Sequence, residues 1–371
     1  MGKILTVIIP TYNMEQYLRK CLDSLLCEGK EKMEVLVIND GSKDSSSAIA
    51  HEYESRYSET FRVIDKENGN YGSCINRGLK EATGKYVKVL DADDMFESGS
   101  LGKFLSLLET VDAELILSDF YTFRAESNKI LQSFSFPNDK IFPAHEIFVI
   151  KRFVPMHAIT YKRSIFNRFD YHQTEGISYT DMQWNSIPLL YVQTVYYSKL
   201  PIYFYRLGRE GQTVDLNVKA KKIDDEILCA EDMIRFLNSA AHLSDESINY
   251  FKKRCYERCI NVYSFVIIEQ NHAFRSLEAF DFFLKENNHE IFTKLEDAFI
   301  NPYIKFRYII HWRKTHRGLP VRVRLLLHLV KVLSFSTVHH RVLRIISVIV
   351  RHQLFARSEI HHWSGTTEMY G

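Results

Sequence analysis

Residues 86–94 pass from a strand-like run straight into acid: Tyr86-Val87-Lys88-Val89-Leu90-Asp91-Ala92-Asp93-Asp94, with three carboxylates within four positions. Like charges this close repel, and each prefers water. Hard divalent cations prefer carboxylate oxygen and often bridge to phosphates. The cluster therefore constrains the fold: a buried strand stops here, and its end faces a cation or a phosphorylated ligand. Asp91 and Asp93 flank the small Ala92. In an extended segment, positions two apart point the same way, so both carboxylates can address one site.

The rest of the first third alternates strand and helix signals. Thr6-Val7-Ile8-Ile9 reads as a buried strand. Residues 4–9 are too short for the apolar centre of a leader peptide, and Pro10 ends the strand and stiffens the turn. Asn13 is expected to cap the next helix, with Gln16 at its third position as in a capping box. That helix should run to about Leu26. Val35-Leu36-Val37-Ile38 is the second strand, and Asp40-Gly41-Ser42 turns the chain into another helix. A strand over 61–64, a helix over 73–81, a strand over 86–90 and a fifth at Leu115-Ile116-Leu117-Ser118 follow. Short apolar runs separated by helices imply an α/β fold with a mainly parallel, Rossmann-like sheet covered on both faces. Ligands of such sheets bind beyond the carboxyl ends of the strands. Thr11-Tyr12-Asn13, Asn39-Asp40-Gly41 and the acidic cluster lie at those ends, and are expected to share one crevice. Residues 120–211 are irregular and aromatic-rich, as substrate-shaping segments are, and 219–299 carry helical signals.

Composition adds compartment and charge. A chain of 371 residues, 46% hydrophobic and 25% charged, can bury a sizeable core. Its six cysteines form no zinc spacing or disulfide framework, and are expected to be free thiols in a reducing compartment. No stretch reaches the roughly 18 uninterrupted apolar residues of a spanning helix. Residues 301–371 hold 12 Lys/Arg against 2 Asp/Glu, a balance of +10; residues 1–300 hold 36 against 44, a balance of −8.

Four motifs in order carry a family resemblance. They are Val7-Ile8-Ile9-Pro10-Thr11-Tyr12-Asn13, Val37-Ile38-Asn39-Asp40-Gly41-Ser42-Lys43-Asp44, Asn68-Gly69-Asn70-Tyr71-Gly72 and Asp91-Ala92-Asp93-Asp94. Together they resemble the family 2 glycosyltransferases, over roughly residues 3–215. The resemblance implies the GT-A fold and inverting transfer of a sugar from a nucleotide-sugar. It covers a catalytic domain (1–215); helical signals and the charge balance then mark a helical domain (216–300) and a basic helical tail (301–371).

Roles follow residue by residue. Pro10, Thr11 and Asn13 suit the edge of a uracil base, and the resemblance gives Asp40 the base or ribose. Asn68 and Gly69 let the donor approach the backbone. The usual motif there has a second glycine and a small residue, where this chain has Asn70 and Tyr71. Asp91 and Ala92 are placed at the sugar or ribose, Asp93 at a Mn²⁺ or Mg²⁺ ion, and Asp94 as a cap for a helix near Ser98. Ile177-Ser178-Tyr179-Thr180-Asp181-Met182-Gln183-Trp184 resembles the region of the catalytic base, so Asp181 is the expected base and Glu175 a second candidate. Trp184 and His157 are candidates for the acceptor, His157 also for the metal. Tyr205-Arg206-Leu207-Gly208-Arg209-Glu210-Gly211-Gln212-Thr213 resembles the segment that closes over the donor. Arg206 and Arg209 would there offset diphosphate charge, with Gln212 in the lid.

Residues 305–357 contain 12 Lys/Arg and no acid. Arg324, His328 and Lys331 share one helical face, as do Arg341, Arg344 and Arg351, with Leu325, Leu326, Leu329, Val330 and Leu333, or Leu343, Ile346 and Val350, elsewhere around the helix. Basic amphipathic helices bind anionic membranes. The expected partners are thus a nucleotide-sugar donor, a glycan or lipid-linked acceptor, an anionic membrane surface and a second copy of the chain, with no nucleic acid. The expected location is the inner face of the cell membrane. Two other readings use the same acids: a nucleotidyltransferase, which would want an early basic Gly-rich loop, and a nucleotide-sugar-binding scaffold without catalysis.

Overall fold

The computed structural model describes residues 2–335 apart from 125–127, 150–152, 210, 213–214, 241, 270–273 and 302–303. It divides into two compact units, Met1–Arg258 and Cys259–Gly371. The segment 216–258, which the sequence groups with a helical domain, thus belongs with the sheet.

The first unit begins with alternating strands and helices. These are β1 (Leu5–Thr11), α1 (Glu15–Asp23), β2 (Met33–Asn39), α2 (Ser46–Arg56), β3 (Phe61–Asp65), α3 (Asn70–Glu81) and β4 (Tyr86–Val89). β5 (Met95–Phe96), α4 (Ser98–Thr110) and β6 (Leu115–Phe123) complete the expected series. The segment read as irregular contains β7 (Lys129–Gln132), β8 (Ile141–Pro143), α5 (His145–Phe148), β9 (Ile159–Lys162), α6 (Asp181–Ser186) and β10 (Thr194–Arg206). The helices α7 (Leu216–Lys221), α8 (Ile223–Ser239) and α9 (Asp245–Ser264) follow.

One sheet runs β3-β2-β1-β4-β9-β6-β10-β5, with β7 on β6 and β8 on β10. β1, β2, β3 and β4 pair in parallel, as do β6 and β10. β9 inserts antiparallel between β4 and β6. The sheet is therefore mixed but wholly parallel over β3-β2-β1-β4, with helices packed on it. α3 lies tight on β1: a Cβ on Gly78 would come within 2.5 Å of Ile8, so only glycine fits there.

Pro10 lies inside β1 rather than ending it. The β1–β4 ladder runs from Leu5–Tyr86 to Ile8–Val89, and the Leu90 amide donates to the Ile8 carbonyl at 2.9 Å. The next amide two residues along would be that of Pro10, which has no N–H. The ladder stops, and the chain after Leu90 turns away into the acidic cluster. On its other side β1 continues along β2 to Thr11–Asn39.

Asn13 does not cap α1. The cap position is Met14, without a side-chain bond, and Asn13 itself has φ +53°. Its Oδ1 instead accepts from the Lys43 amide at 2.8 Å. The amides that open α1 are met from the β2–α2 loop: Met14 donates to Ser46 Oγ at 2.7 Å and Glu15 to Asp44 Oδ2 at 3.0 Å. A cap within the chain was thus replaced by a tie between two strand-end loops.

The second unit holds α10 (Phe274–Asn287), α11 (His289–Lys294), α12 (Tyr308–Thr315) and α13 (Val321–Phe335). Its interior packs Trp312 edge-on to Tyr263, and Arg313 pairs with Asp281 at 2.8 Å. On α13, Val323, Leu326 and Val330 are buried, whereas Val321, Leu325 and Leu329 are exposed beside exposed Arg322, Arg324 and His328. The Lys331 and Leu333 side chains, and the second basic trio at Arg341, Arg344 and Arg351, lie outside the described residues. No helix among the described residues is long and apolar enough to cross a membrane.

Candidate functional site

β1, β2 and β4 lie side by side in parallel, so the strand-end clusters sit along the same edge of the sheet. At the β2 end, Asp40 is 2% exposed. Its Oδ1 accepts from Lys66 Nζ at 2.5 Å and from the Gly69 amide at 2.9 Å. Asn68 Nδ2 donates to the Asp40 carbonyl at 2.9 Å. Asp40 and the Asn68-Gly69 turn therefore form one rigid corner, and the Asp-Gly turn is part of it. Thr11 is 1% exposed, and its hydroxyl bonds back to the Ile9 carbonyl at 3.1 Å. That turns Thr11 toward its own strand, while Tyr12 and Asn13 remain exposed.

The acidic cluster is divided three ways. Asp91, half-buried, accepts from Tyr71 OH at 3.1 Å. The residue that departs from the usual motif is thus a ligand of the cluster. Burial, then the charges of Asp93 and Asp181, raise the Asp91 carboxyl above the ordinary range. Asp93 pairs with Arg209 Nε at 2.6 Å, and the Arg206 Nε donates to its carbonyl at 2.9 Å. Asp94, 1% exposed, accepts from Tyr203 OH and the Arg206 amide, both at 2.7 Å. Asp94 does not cap α4; Glu97 does, accepting from the Ser100 amide at 2.5 Å. Burial followed by its two acidic neighbours raises the Asp94 carboxyl strongly.

Among the described residues, Asp91, Asp94 and His157 bring one ligand atom each within 4.8 Å of one another. His157 Nδ1 is buried and has no hydrogen-bond partner. Burial and Lys88 push its imidazole down to about 3, so it is neutral near pH 7. Two carboxylates and a neutral, unsatisfied imidazole suit Mn²⁺ or Mg²⁺. The metal ligand expected from the sequence was Asp93, whose carboxylate is here engaged by Arg209. Beneath the cluster, Lys88 is fully buried and donates to the His157 and Ile159 carbonyls at 2.8 and 3.0 Å. A lone lysine in the apolar run of β4 was the signal that sequence reasoning passed over.

Arg206, Arg209 and Gln212, from the segment expected to act as a lid, all contact Asp93. Gly208 has φ +84°, a conformation that suits glycine. Gln212 Oε1 accepts from the Gly208 and Arg209 amides at 2.8 and 3.1 Å, and its Nε2 donates to the Arg206 carbonyl at 2.8 Å. Arg206 lies 5.3 Å from the Tyr17 ring centroid. Glu210 and Thr213 lie outside the described residues.

Asp181 opens α6. Its carboxyl is raised by burial, and Arg258 pulls it partly back. The preceding Tyr179 holds φ +65°, a strain of roughly 1–3 kcal/mol for a residue with a side chain. The loop before it is wedged between two helices. On the α3 side, the Gly176 amide donates to the Gly69 carbonyl at 2.8 Å, and a Cβ on Gly72 would sit 2.0 Å from the Thr174 carbonyl oxygen. On the α8 side, Ser178 bonds to Asp225 at 2.9 Å and Thr174 to Asp232 at 2.7 Å. Glu175, with 46% of its side chain exposed, bonds to Asn76 on the outer side at 2.9 Å. Trp184 is 1% exposed and packs among Tyr161, Phe166 and Tyr171. It belongs to the core, because α6 turns its apolar face inward, and it offers no face to a sugar.

Known proteins match this arrangement. Residues 6–170 match the profile of "Glycosyl transferase family 2". The chain is 31% identical over 217 residues to an uncharacterized glycosyltransferase, the MG025 homolog, of Mycoplasma pneumoniae, covering 57% of this chain and 71% of that one. It is 35% identical over 119 residues to the glycosyltransferase GlyA of Streptococcus pneumoniae, covering 32% of this chain but only 17% of GlyA. In fold it is similar to S. aureus TarS, crystallised with UDP-GlcNAc, at TM-score 0.59 and 18% identity over 84% of this chain and 87% of the TarS fragment. The strand-end corners, the acidic cluster and these likenesses together place the chain in family 2 of the glycosyltransferases, with a GT-A fold followed by a helical region.

Proposed function

We propose that this glycosyltransferase moves a sugar from a nucleoside diphosphate sugar, a UDP-sugar in the first instance, to a hydroxyl of a glycan or lipid-linked glycan, with inversion. The observation that carries the reading is the gathering of the Asp91–Asp94 cluster and half-buried Asp181, whose charge acts on Asp91, at strand ends that adjoin the Asp40 corner. TarS was crystallised with UDP-GlcNAc, which supports the donor class.

In this reading the corner of Asp40, Asn68 and Gly69 takes the nucleoside, with Pro10, Thr11 and Asn13 forming its floor. Asp91, beside Ala92, addresses the ribose or sugar. Arg206 and Arg209 face the diphosphate when the lid is closed, and Gln212 fixes the lid turn. Asp91, Asp94 and His157 would hold a divalent cation, with Asp93 released from Arg209 as a further ligand. Bound there, the cation would neutralise charge on the departing diphosphate. Asp181 takes the proton of the acceptor hydroxyl as that oxygen attacks the anomeric carbon. Its raised carboxyl suits a base that must hold a proton and then give it up.

Asp181→Asn tests the assignment. Turnover of a UDP-sugar should fall at least about 100-fold while UDP still binds. Near-normal turnover in that variant would remove the base. Sugar 1-phosphate rather than UDP as product would mark nucleotidyl transfer, and UDP-sugar binding without any release would mark a scaffold.

We also place the protein on the inner face of the cell membrane. The exposed Val321, Leu325 and Leu329 stripe on α13, bordered by Arg322, Arg324 and His328, supports that location. A lipid-linked acceptor would lie on that surface.

A further inference from the structure

Tyr179 is bent against its own preference immediately before Thr180 and Asp181. Two groups hold its carbonyl: Arg258 Nη2 at 3.4 Å and Cys229 Sγ at 3.4 Å. The Arg258 guanidinium also lies over the Tyr179 ring, 5.6 Å from its centroid. Both partners come from helices distant in sequence, α9 and α8.

Arg258 is 6% exposed, and a charge that deep is costly unless paired. Its Nη1 meets Glu226 Oε1 at 3.2 Å, and Glu226 is itself 1% exposed. The second Glu226 oxygen faces Lys219 Nζ at 3.0 Å. A buried ion pair stabilises a core little better than apolar side chains of the same size. This one touches the turn that delivers Asp181. It also begins at α7, the helix that follows the lid segment.

We propose that Arg258, fixed by Glu226, is a positioning residue for Asp181; the inference rests on the reading of Asp181 as the base. Arg258 holds the Tyr179 carbonyl and so sets the direction in which the chain enters α6. Asp181 is the first residue of that helix, so the direction of entry sets the direction of its carboxylate. Arg258 also opposes burial, which would otherwise raise the Asp181 carboxyl further. Without the guanidinium, the left-handed turn loses its contacts to Arg258 while the rest of the loop stays bonded to α3 and α8.

The test uses the full chain with Mn²⁺ and a panel of UDP-hexoses including UDP-GlcNAc, reading UDP release. Arg258→Lys, Glu226→Gln, Asp181→Asn and the Arg258→Lys/Asp181→Asn double variant are compared with the wild type. UDP affinity by calorimetry and thermal midpoints confirm that each variant is folded. A displacement of about 1 Å in a reacting group can cost about 100-fold, so kcat should fall at least about tenfold in R258K and E226Q. KM and UDP affinity should stay unchanged, and the double variant should be no slower than D181N alone. Amide hydrogen exchange over 177–182 should quicken in both single variants, a readout that needs no turnover.

Normal kcat in both variants while D181N is inactive would overturn the positioning role and leave the base in place. So would a further tenfold loss in the double variant, a parallel loss of UDP affinity, or unchanged exchange over 177–182. Normal turnover in D181N would instead overturn the base assignment.

Discussion

Asp91, Asp93 and Asp94 carry the same side chain within four positions, yet the fold gives each a different partner. Asp91 takes a tyrosine hydroxyl, Asp93 a guanidinium, and Asp94 a second tyrosine with a backbone amide. The extended i and i+2 geometry expected for Asp91 and Asp93 is not what forms: residues 92–93 make a turn closed by the Asp94 amide on the Asp91 carbonyl at 2.9 Å, which brings Asp94 rather than Asp93 beside Asp91 and His157. The partners of Asp93 and Asp94 are hidden from the sequence, because Arg209 and Tyr203 lie more than a hundred residues away. On α2, His51 is a titrating group apart from the acidic cluster. Its Nε2 and Nδ1 lie 2.8 Å from Asp65 and 2.8 Å from Glu54, and these carboxylates raise its pKa above 6.5. A raised folded pKa gives stability that is full below pH 6.5 and is lost as pH rises through the folded value. His51→Gln should therefore lower the thermal midpoint at pH 5.5 more than at pH 8.5. An equal loss at both would remove the ionic contribution.

Among the elements, β1 to β4 and α1 to α3 were readable because each strand is a short apolar run bounded by turn residues. β10 was not. Its 13 residues include Pro201 and pair with β6 through two register shifts, so no alternation survives to be read. β5 has two residues, and its place at the sheet edge depends on that irregular strand. The α3 contact with the loop before Asp181 was likewise hidden, since the sequence separates Gly72 from Thr174 by about a hundred residues. Gly72→Ala would drive a methyl into the Thr174 carbonyl. Overpacking of this kind costs about 1–3 kcal/mol. The expected result is a lower thermal midpoint together with reduced turnover, because residues 173–176 must move and carry Asp181 with them. A variant with an intact midpoint and normal kcat would show that the loop can yield freely there.

For the whole molecule, charge is divided along the chain: −8 over residues 1–300 and +10 over 301–371. The sequence showed the basic amphipathic character of the tail, but not which apolar residues of α13 face inward. Val323, Leu326 and Val330 do, which leaves Leu325 and Leu329 for another surface. Burying each in lipid would contribute about 1.5–3 kcal/mol, with attraction to anionic headgroups added. The double variant Leu325→Glu/Leu329→Glu should therefore pellet less with phosphatidylserine vesicles than the wild type, and wild-type pelleting should fall as salt rises. Equal pelleting of both proteins would take α13 off the membrane.

The bond from the Gly176 amide to the Gly69 carbonyl has a thermodynamic consequence. Gly69 borders the corner proposed for the nucleoside, and Gly176 belongs to the loop that ends at Asp181. Any free energy that an occupied corner delivers to the loop through this tie is returned in equal measure by linkage. A donor that steadies the loop for its acceptor must then be held more tightly once that acceptor has bound. Saturation curves for the two substrates would be interdependent, each shifted to lower concentration by the other's presence.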